Sequence, residues 1–232
     1  MNLYDKLIEA VTYALPEKAD KVWAYEPADA AEQGDKNSII FSDEAAFELG
    51  AMGKSSVCSV LFTSADINDE TVLFGKDITE INSDSSFAHI VIVSLNDREE
   101  FKFEELKDIE YSIYHFYPEG YKARISPVGC KETVRISKKA KTSGLSFRNI
   151  GAGHITEFKK DPLVKNVKII FSTTDNIDFG KLSITARKAN AVTKTLASDF
   201  ENLDGGCSSC SMKPLCDEIE GFKELHMNKK KI

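Results

Sequence analysis

No apolar run in the sequence reaches the length that a membrane-spanning helix needs, about 20 residues. The first residues, MNLYDKLIEAVTYALPEK, lack the succession of basic, apolar and small residues that marks a secretory signal. Tryptophan occurs once, and the seven tyrosines form no stripe on which bases could stack. Together with a formal net charge of −7, these absences predict a cytoplasmic protein that binds neither nucleic acid nor a membrane.

The signatures of two large enzyme classes are missing as well. No G-x-S-x-G motif for a nucleophilic serine occurs. The stretch GAMGKSS at 50–56 has its first glycine too close to the Gly-Lys pair for a phosphate-binding loop. Aspartate and glutamate, at 37 residues, are too numerous and scattered to single out a catalytic pair. The sequence therefore leaves the catalytic residues unknown.

The composition that is present, 42% hydrophobic and 29% charged, is ordinary for a globular protein. Residues 3–15 have apolar side chains at helical spacing, and Pro16 ends the pattern. Four runs rich in β-branched residues then predict strands: SIIF, SSVCSVLFT, ETVLFG and FAHIVIVSL. The segment FEELKDIEYSIYHF returns to helical spacing.

The stretch YPEGYKARISPVGC at 117–130 contains two prolines and two glycines, so it predicts a loop and a domain boundary. After it we predict a strand at ETVRI, a helix from the cap Ser137 to Gly144, and then a helix, a strand and a long helix. The predicted fold is α+β. A strand-rich half with a mixed sheet (1–117) precedes a half of alternating strands and helices (118–204) and a cysteine-rich, metal-binding tail (205–232).

Positive charge is concentrated between Glu119 and Arg148, where eight lysines and arginines stand against two glutamates. Such a patch in an acidic protein could attract a phosphorylated ligand or an acidic partner. A solvated face without a ligand is an equally simple alternative.

Three of the five cysteines, Cys207, Cys210 and Cys216, lie within ten positions after the Gly205-Gly206 turn. The C-x2-C spacing lets two thiolates converge on one centre, and Cys216 adds a third, so the pattern indicates a metal site. A redox-active C-x-x-C pair and unrelated buried thiols are the alternatives.

The donor set favours a [4Fe–4S] cluster over zinc. A cubane cluster can take its fourth thiolate from elsewhere in the fold, and Cys130 in the basic stretch could supply it. Zinc would need a fourth ligand nearby, and His226 lies further from Cys216 than zinc spacing usually allows. Cys58 and His89 lie inside strand-like runs, so we expect a small buried hydrophobe and a satisfied strand histidine.

The segment VRISKKAKTSGLSFRNIGAGHITEFKKDPLVKNVKIIFSTTD, followed by a long helix and a C-x2-C motif, resembles the middle region of the carbon monoxide dehydrogenase/acetyl-CoA synthase β subunit. Upstream, AAFELG, SADINDETVLFGKDITEIN and YHFYPEGYKARIS are similar to the preceding segments of that family, in the same order. The resemblance covers roughly residues 45–216. The ordered series supports it more than any single motif.

This resemblance implies cofactors and partners. Cys207, Cys210 and Cys216 match the first three cysteines of the family's run, which hold a [4Fe–4S] cube joined through a shared thiolate, here Cys210, to a two-nickel site. The implied partner is a corrinoid or other one-carbon protein, or a redox protein. The family's aromatic and basic residues that engage coenzyme A correspond to five positions: Tyr121, Lys122, Arg124, Arg135 and Lys138.

The sequence also departs from the family pattern. Its third cysteine arrives sooner, the family's fourth cysteine has no counterpart, and no Cys-Gly-Cys for the distal nickel follows. The resemblance thus implies an acetyl-CoA synthase-like iron–sulfur protein from an anaerobe, with an incomplete nickel site on this chain. If catalytic, it would be an acyltransferase component. The alternative is a non-catalytic [4Fe–4S] module for electron transfer or partner binding.

Overall fold

The structure, a computed structural model, describes residues 4–96 and 103–197. The predicted cysteine-rich tail, 205–232, lies outside the described residues. The helices and strands, in chain order, are α1 (Asp5–Ala14), β1 (Lys21–Ala24), β2 (Ala45–Leu49), β3 (Ser56–Thr63), β4 (Glu70–Phe74), β5 (Phe87–Leu95), α2 (Phe103–Tyr111), β6 (Tyr121–Ser126), β7 (Lys131–Ser137), α3 (Lys138–Thr142), α4 (Phe147–Phe158), β8 (Val164–Ser172) and α5 (Phe179–Ala197).

Two sheets organise these elements. The larger has the strand order β1-β4-β8-β5-β3, in which β4 pairs with β8 and β3 with β5 in parallel, while β8 and β5 are antiparallel. The smaller is antiparallel, with the order β2-β7-β6. Strand β5 is buried along its whole length, as expected for a central strand covered on both faces. The predicted α+β fold with a mixed sheet is confirmed.

The helices cover the larger sheet. Helix α5 packs on β3 and on α1, and the hydroxyl groups of Tyr4 and Thr193 are hydrogen bonded at 2.8 Å. Helix α4 packs on β4 and β8. Ser146 begins α4, because its hydroxyl oxygen accepts a hydrogen bond from the Asn149 backbone N–H. In the ranges 4–96 and 103–197, no helix is both long and apolar enough to cross a membrane.

Strand β8 lies between β4 and β5, so the larger sheet combines strands from both sides of residue 117, and the buried hydrophobic residues form one cluster. Two expectations about individual elements need correction. The run SIIF forms no strand, because the Phe41 carbonyl accepts turn hydrogen bonds from the Glu44 and Ala45 N–H groups. The predicted loop at 117–130 contains β6, since its prolines and glycines lie outside the strand.

The helix predicted from Ser137 is confirmed. The Ser137 hydroxyl oxygen accepts a hydrogen bond from the Ala140 backbone N–H at 3.0 Å, and α3 ends at Thr142. Gly144 follows with a φ of +83°, the left-handed conformation that ends many helices. This junction brings the basic residues of α3 next to those of β7 in the smaller sheet.

Candidate functional site

The outer face of the smaller sheet carries most of the predicted coenzyme A-binding residues. In the antiparallel register of β6 and β7, Lys122 lies opposite Arg135, and Arg124 lies opposite Thr133. Side chains two residues apart on a strand point to the same face, so Lys122, Arg124 and Arg135 share the face that is turned away from the core. Lys138 lies just beyond it, at the first residue of α3.

Three of these four cations already have partners in the chain segment 36–44, which runs across the face. The Lys122 ammonium donates to the Lys36 carbonyl, and the Lys138 ammonium donates to the Asp43 carbonyl at 2.7 Å. Arg135 donates from Nη1 to the Ile40 carbonyl at 2.8 Å and from Nε to Glu48 Oε1 at 2.6 Å. A ligand phosphate at this face would therefore compete with backbone carbonyls for three of the four cations.

Arg124 and Tyr121 lie in opposite environments. Arg124 is exposed and has no hydrogen bond or ion pair with the residues that the structure describes. Tyr121 is only 2% exposed and lies on the inner face, where its hydroxyl group donates to Glu132 Oε1 at 3.5 Å. The structure thus brings Lys122, Arg124 and Arg135 together at the surface and places Tyr121 in the interior.

The Tyr121 hydroxyl group belongs to a buried polar cluster around Glu132. The Glu132 carboxylate is 2.8 Å from His89 Nδ1, and the Cys58 sulfur lies within 4.8 Å of a Glu132 carboxylate oxygen. Cys58 and His89 are register partners on the parallel strands β3 and β5, so both side chains lie on one face of the larger sheet. All four residues are buried, with exposures between 0% and 7%.

Burial sets the protonation of the neutral members of this cluster. Burial, together with the nearby Glu132 carboxylate, raises the pKa of the Cys58 thiol well above its ordinary value, so the sulfur is protonated at neutral pH. The same two causes raise the pKa of the Tyr121 phenol. Both groups therefore keep their protons, and the Tyr121 hydroxyl group donates a hydrogen bond to the carboxylate.

Next to the cluster are imidazole nitrogens without a hydrogen-bond partner. His154, on α4, is 2% exposed, and its ring centroid is 4.9 Å from that of His89. Burial, and secondarily the neighbouring His89, lowers the pKa of His154 well below its ordinary value, so this imidazole is neutral. Neither nitrogen of His154, nor Nε2 of His89, has a partner among the described residues. His89 is therefore only half satisfied, contrary to the expectation from sequence.

Cys130, the predicted fourth cluster ligand, lies at the end of the tight turn between β6 and β7. Its φ is +47°, and it is the only described residue other than glycine with a positive φ. It is 5% exposed, and its sulfur is 3.6 Å from the Pro127 carbonyl and 3.7 Å from Asn190 Nδ2 on α5. Cys130 and Cys58 both line a cavity of about 40 Å³ beneath α5.

The other three predicted metal ligands, Cys207, Cys210 and Cys216, lie outside the described residues. Sequence reasoning also missed Glu132, although a signal exists. In the run KETVRIS, Glu132 alternates with Val134 and Ile136, which predicts that it faces inward. Its proximity to Cys58 and His89 depends on strand pairing, which no local sequence pattern predicts.

Comparison with protein families gives a match over most of the described chain. Residues 36–177, more than half of the chain, match the family described as the CO dehydrogenase/acetyl-CoA synthase complex beta subunit. The matched range includes segment 36–44 and the buried cluster around Glu132. It also includes the outer basic face, that is, Lys122, Arg124 and Arg135 on the smaller sheet with the adjacent Lys138. No curated protein matches the chain.

Proposed function

Because the chain belongs to the CO dehydrogenase/acetyl-CoA synthase complex beta subunit family, we propose that it acts in one-carbon and acetyl-CoA metabolism as an acetyl-CoA synthase-like iron–sulfur protein. The observation that carries the proposal is the order of parts. A family match over 36–177 is followed by α5 and then by three closely spaced cysteines, the arrangement that the sequence resemblance implies.

In this proposal Cys207, Cys210 and Cys216 are three ligands of a [4Fe–4S] cluster, and Cys130 is the fourth. Thiolates are the usual ligands of such clusters, and the fourth can come from a distant part of the chain. Cys130 contacts Asn190 on α5, the helix that leads toward the cysteine motif. Cys210 would be the thiolate that bridges to nickel, if nickel is bound. When bound, these metals would supply the redox and carbonyl chemistry.

We further propose that the outer basic face binds coenzyme A through its phosphate groups. Arg124 is exposed and has no charged partner among described residues, so it is the cation most available to an anion. Lys122, Arg135 and Lys138 would join it once segment 36–44 gives up its carbonyl contacts. Tyr121 would act indirectly by holding β6 against Glu132, since its side chain is buried.

The family's description names a complex, which supports protein partners for this chain. By the chemistry of the reaction, the partner would be a corrinoid or other one-carbon protein, or a redox protein. A partner that completes the nickel site would make the chain a catalytic component. Without one, the cluster would serve electron transfer or partner binding alone.

Anaerobic purification of the full chain, followed by iron, sulfide, nickel and zinc analysis, tests the cluster. We expect about four iron and four sulfide ions per chain, as in a cubane cluster. Cys210→Ser should lose most of both, and Cys130→Ser should lose part of the iron or change its electron paramagnetic resonance signal. Nickel in stoichiometric amount, together with CO-dependent acetyl transfer, supports the catalytic role. Iron and sulfide without nickel support the non-catalytic role in electron transfer or partner binding. Zinc without iron contradicts both roles.

Calorimetric titration with coenzyme A tests the basic face separately. Arg124→Ala should weaken binding roughly tenfold, the loss expected for one charge-assisted phosphate contact. Lys107→Ala is the matched control, because Lys107 is an exposed residue of α2 and its removal changes the net charge equally. Absence of binding, or equal weakening by both substitutions, would contradict this part of the proposal.

A further inference from the structure

We propose that Cys58, His89 and Glu132 form an interior binding site for one divalent transition-metal ion of the zinc type. The site uses none of the four cysteines assigned to the proposed cluster, and it does not rest on the function proposed above. Each residue offers one ligand atom, and the three atoms lie within 4.8 Å of one another.

The fold builds this site from three separate strands. Cys58 on β3 and His89 on β5 are register partners, so strand pairing keeps their side chains adjacent. Glu132 on β7 is held beside them by Ser56, whose hydroxyl oxygen accepts from the Glu132 backbone N–H at 2.9 Å and whose O–H donates to the Glu132 carbonyl. Ligands on paired strands keep their spacing better than ligands on loops.

The three donor atoms suit zinc and similar divalent transition-metal ions, both in total charge and in ligand type. A thiolate, an imidazole nitrogen and a carboxylate oxygen are the three ligand types that zinc accepts in proteins, at about 2.0–2.3 Å. The thiolate and the carboxylate together carry two negative charges, which a divalent ion neutralises. A neutral site can be buried as completely as this one, whereas an unpaired ion could not.

The surroundings of the three residues include a small cavity and an imidazole nitrogen without a hydrogen-bond partner among the described residues. Cys58 lines a cavity of about 40 Å³, which is large enough for a water molecule. A water molecule is a common fourth ligand of a tetrahedral ion with three protein ligands. The competing explanation is a closed hydrogen-bond network, in which Cys58, Tyr121 and His89 donate to Glu132. Such a network is expected to satisfy all its members, but Nε2 of His89 is left without a partner among the described residues.

Cobalt binding by the full chain tests the site. The starting protein carries Cys207→Ser, Cys210→Ser and Cys216→Ser, so that the proposed cluster cannot form, and is stripped of metal with a chelator. Addition of Co²⁺ should give one bound ion per chain, with thiolate-to-cobalt charge-transfer absorption in the near ultraviolet and the intense visible bands of a four-coordinate ion. Zinc should displace it.

Two further substitutions in that background identify the ligands. Cys58→Ser should abolish the charge-transfer band and weaken binding at least about 100-fold, the upper range for loss of a supporting residue alone. The serine hydroxyl group can still donate to Glu132, so the metal-free fold is kept and circular dichroism can verify it. Cys130→Ser is the matched control, because it removes a buried thiol that lines the same cavity and should leave the band unchanged.

Three results would overturn the inference: no cobalt binding by the starting protein, an unchanged band in Cys58→Ser, or loss of the band in Cys130→Ser with Cys58→Ser unaffected. If Cys58→Ser does not fold, His89→Gln provides the same test, since it removes an imidazole ligand and leaves the thiol for detection. Iron and sulfide analysis of the unsubstituted chain is independent of all these outcomes, so failure of this inference and failure of the proposed cluster can be told apart.

Discussion

At the scale of single residues, Ser56 shows how the interior is held in place. Its side chain is 7% exposed and both accepts from and donates to the backbone of Glu132. Replacement by alanine would leave a buried N–H and a buried carbonyl unpaired, at a cost of about 2 kcal/mol. We therefore expect Ser56→Ala to lower the free energy of unfolding by about that amount in urea denaturation.

Ser59→Ala on the same strand is the control for this prediction. Ser59 is half-buried and makes no side-chain hydrogen bond with described residues, so the change should stay within about 0.5 kcal/mol. Equal losses for the two substitutions would show that Ser56 does not hold β7 through these bonds.

Glu80 makes stability depend on pH. Its carboxylate accepts from the Asp77 backbone N–H at 2.8 Å and from the Lys21 ammonium at 3.0 Å, and these contacts, the backbone one first, lower the pKa of Glu80 below its ordinary value of 4.5. The unfolded chain therefore binds the proton more readily. The stabilisation is present above pH 4.5 and is lost as the pH falls through the lower, folded-state pKa.

We accordingly expect Glu80→Gln to melt at a lower temperature than the unsubstituted chain at pH 7. The difference between the two should shrink in thermal melts below pH 4.5. Glu9→Gln, on the exposed side of α1, is the control with the same loss of charge. A difference for Glu80→Gln that persists unchanged into acid would contradict the assignment.

At the scale of elements, the approach of α4 to the larger sheet depends on Gly151. A Cβ atom at this position would lie 2.1 Å from Thr71 Oγ1 and 2.6 Å from Thr71 Cγ2 on β4, and Thr71 is itself buried. Alanine is favoured over glycine in a helix by about 1 kcal/mol, but displacement of a packed strand costs more. We expect Gly151→Ala to destabilise the fold by about 2 kcal/mol in denaturant titration.

Gly180→Ala near the start of α5 separates the helix preference of alanine from the steric clash of an added Cβ atom. Its added Cβ would meet only Asp178 Oδ1, at 3.3 Å, so the helical preference should act almost alone. Stability should be unchanged or slightly higher. If both substitutions stabilise the protein, α4 does not pack as closely on β4 as the structure shows.

Lys122, Arg135 and Lys138 of the smaller sheet and α3 donate to backbone carbonyls of segment 36–44. Arg135 donates to the Ile40 carbonyl and pairs with Glu48, while Phe41 is 61% exposed. Loss of about 1 kcal/mol of local stability would raise local opening roughly fivefold. We expect Arg135→Ala to increase the rate of chymotrypsin cleavage after Phe41 by that factor.

Arg148→Ala provides the comparison, because Arg148 pairs with Asp29 on a different segment and the change in charge is the same. Its cleavage rate at Phe41 should match that of the unsubstituted chain. Equal acceleration in both variants would mean that segment 36–44 is not held by Arg135.

At the scale of the whole molecule, the sequence predicted what local patterns control. Long apolar runs became β3, β4, β5 and β8, and the Ser137 cap began α3 where expected. The short strands β1 and β2 were missed because four or five residues give little periodic signal. The strand β6 was taken for a loop because prolines and glycines flank it closely.

Non-local pairing explains the remaining differences. The place of β8 between β4 and β5 joins residues about seventy to one hundred positions apart, and no local pattern encodes that. The same holds for the meeting of Cys58, His89 and Glu132. The outer basic face could be predicted from composition, but not the attachment of its cations to the carbonyls of segment 36–44.

The central claim is that the cysteines near the carboxyl end hold a metal cluster, and native thiol alkylation measures this most directly. Under anaerobic conditions, mass spectrometry counts which cysteines of the folded chain react with iodoacetamide before and after removal of the metal. The account predicts that Cys207, Cys210 and Cys216 are protected until the metal is removed and then react together. Immediate alkylation of all three in a colourless, iron-free preparation would contradict it.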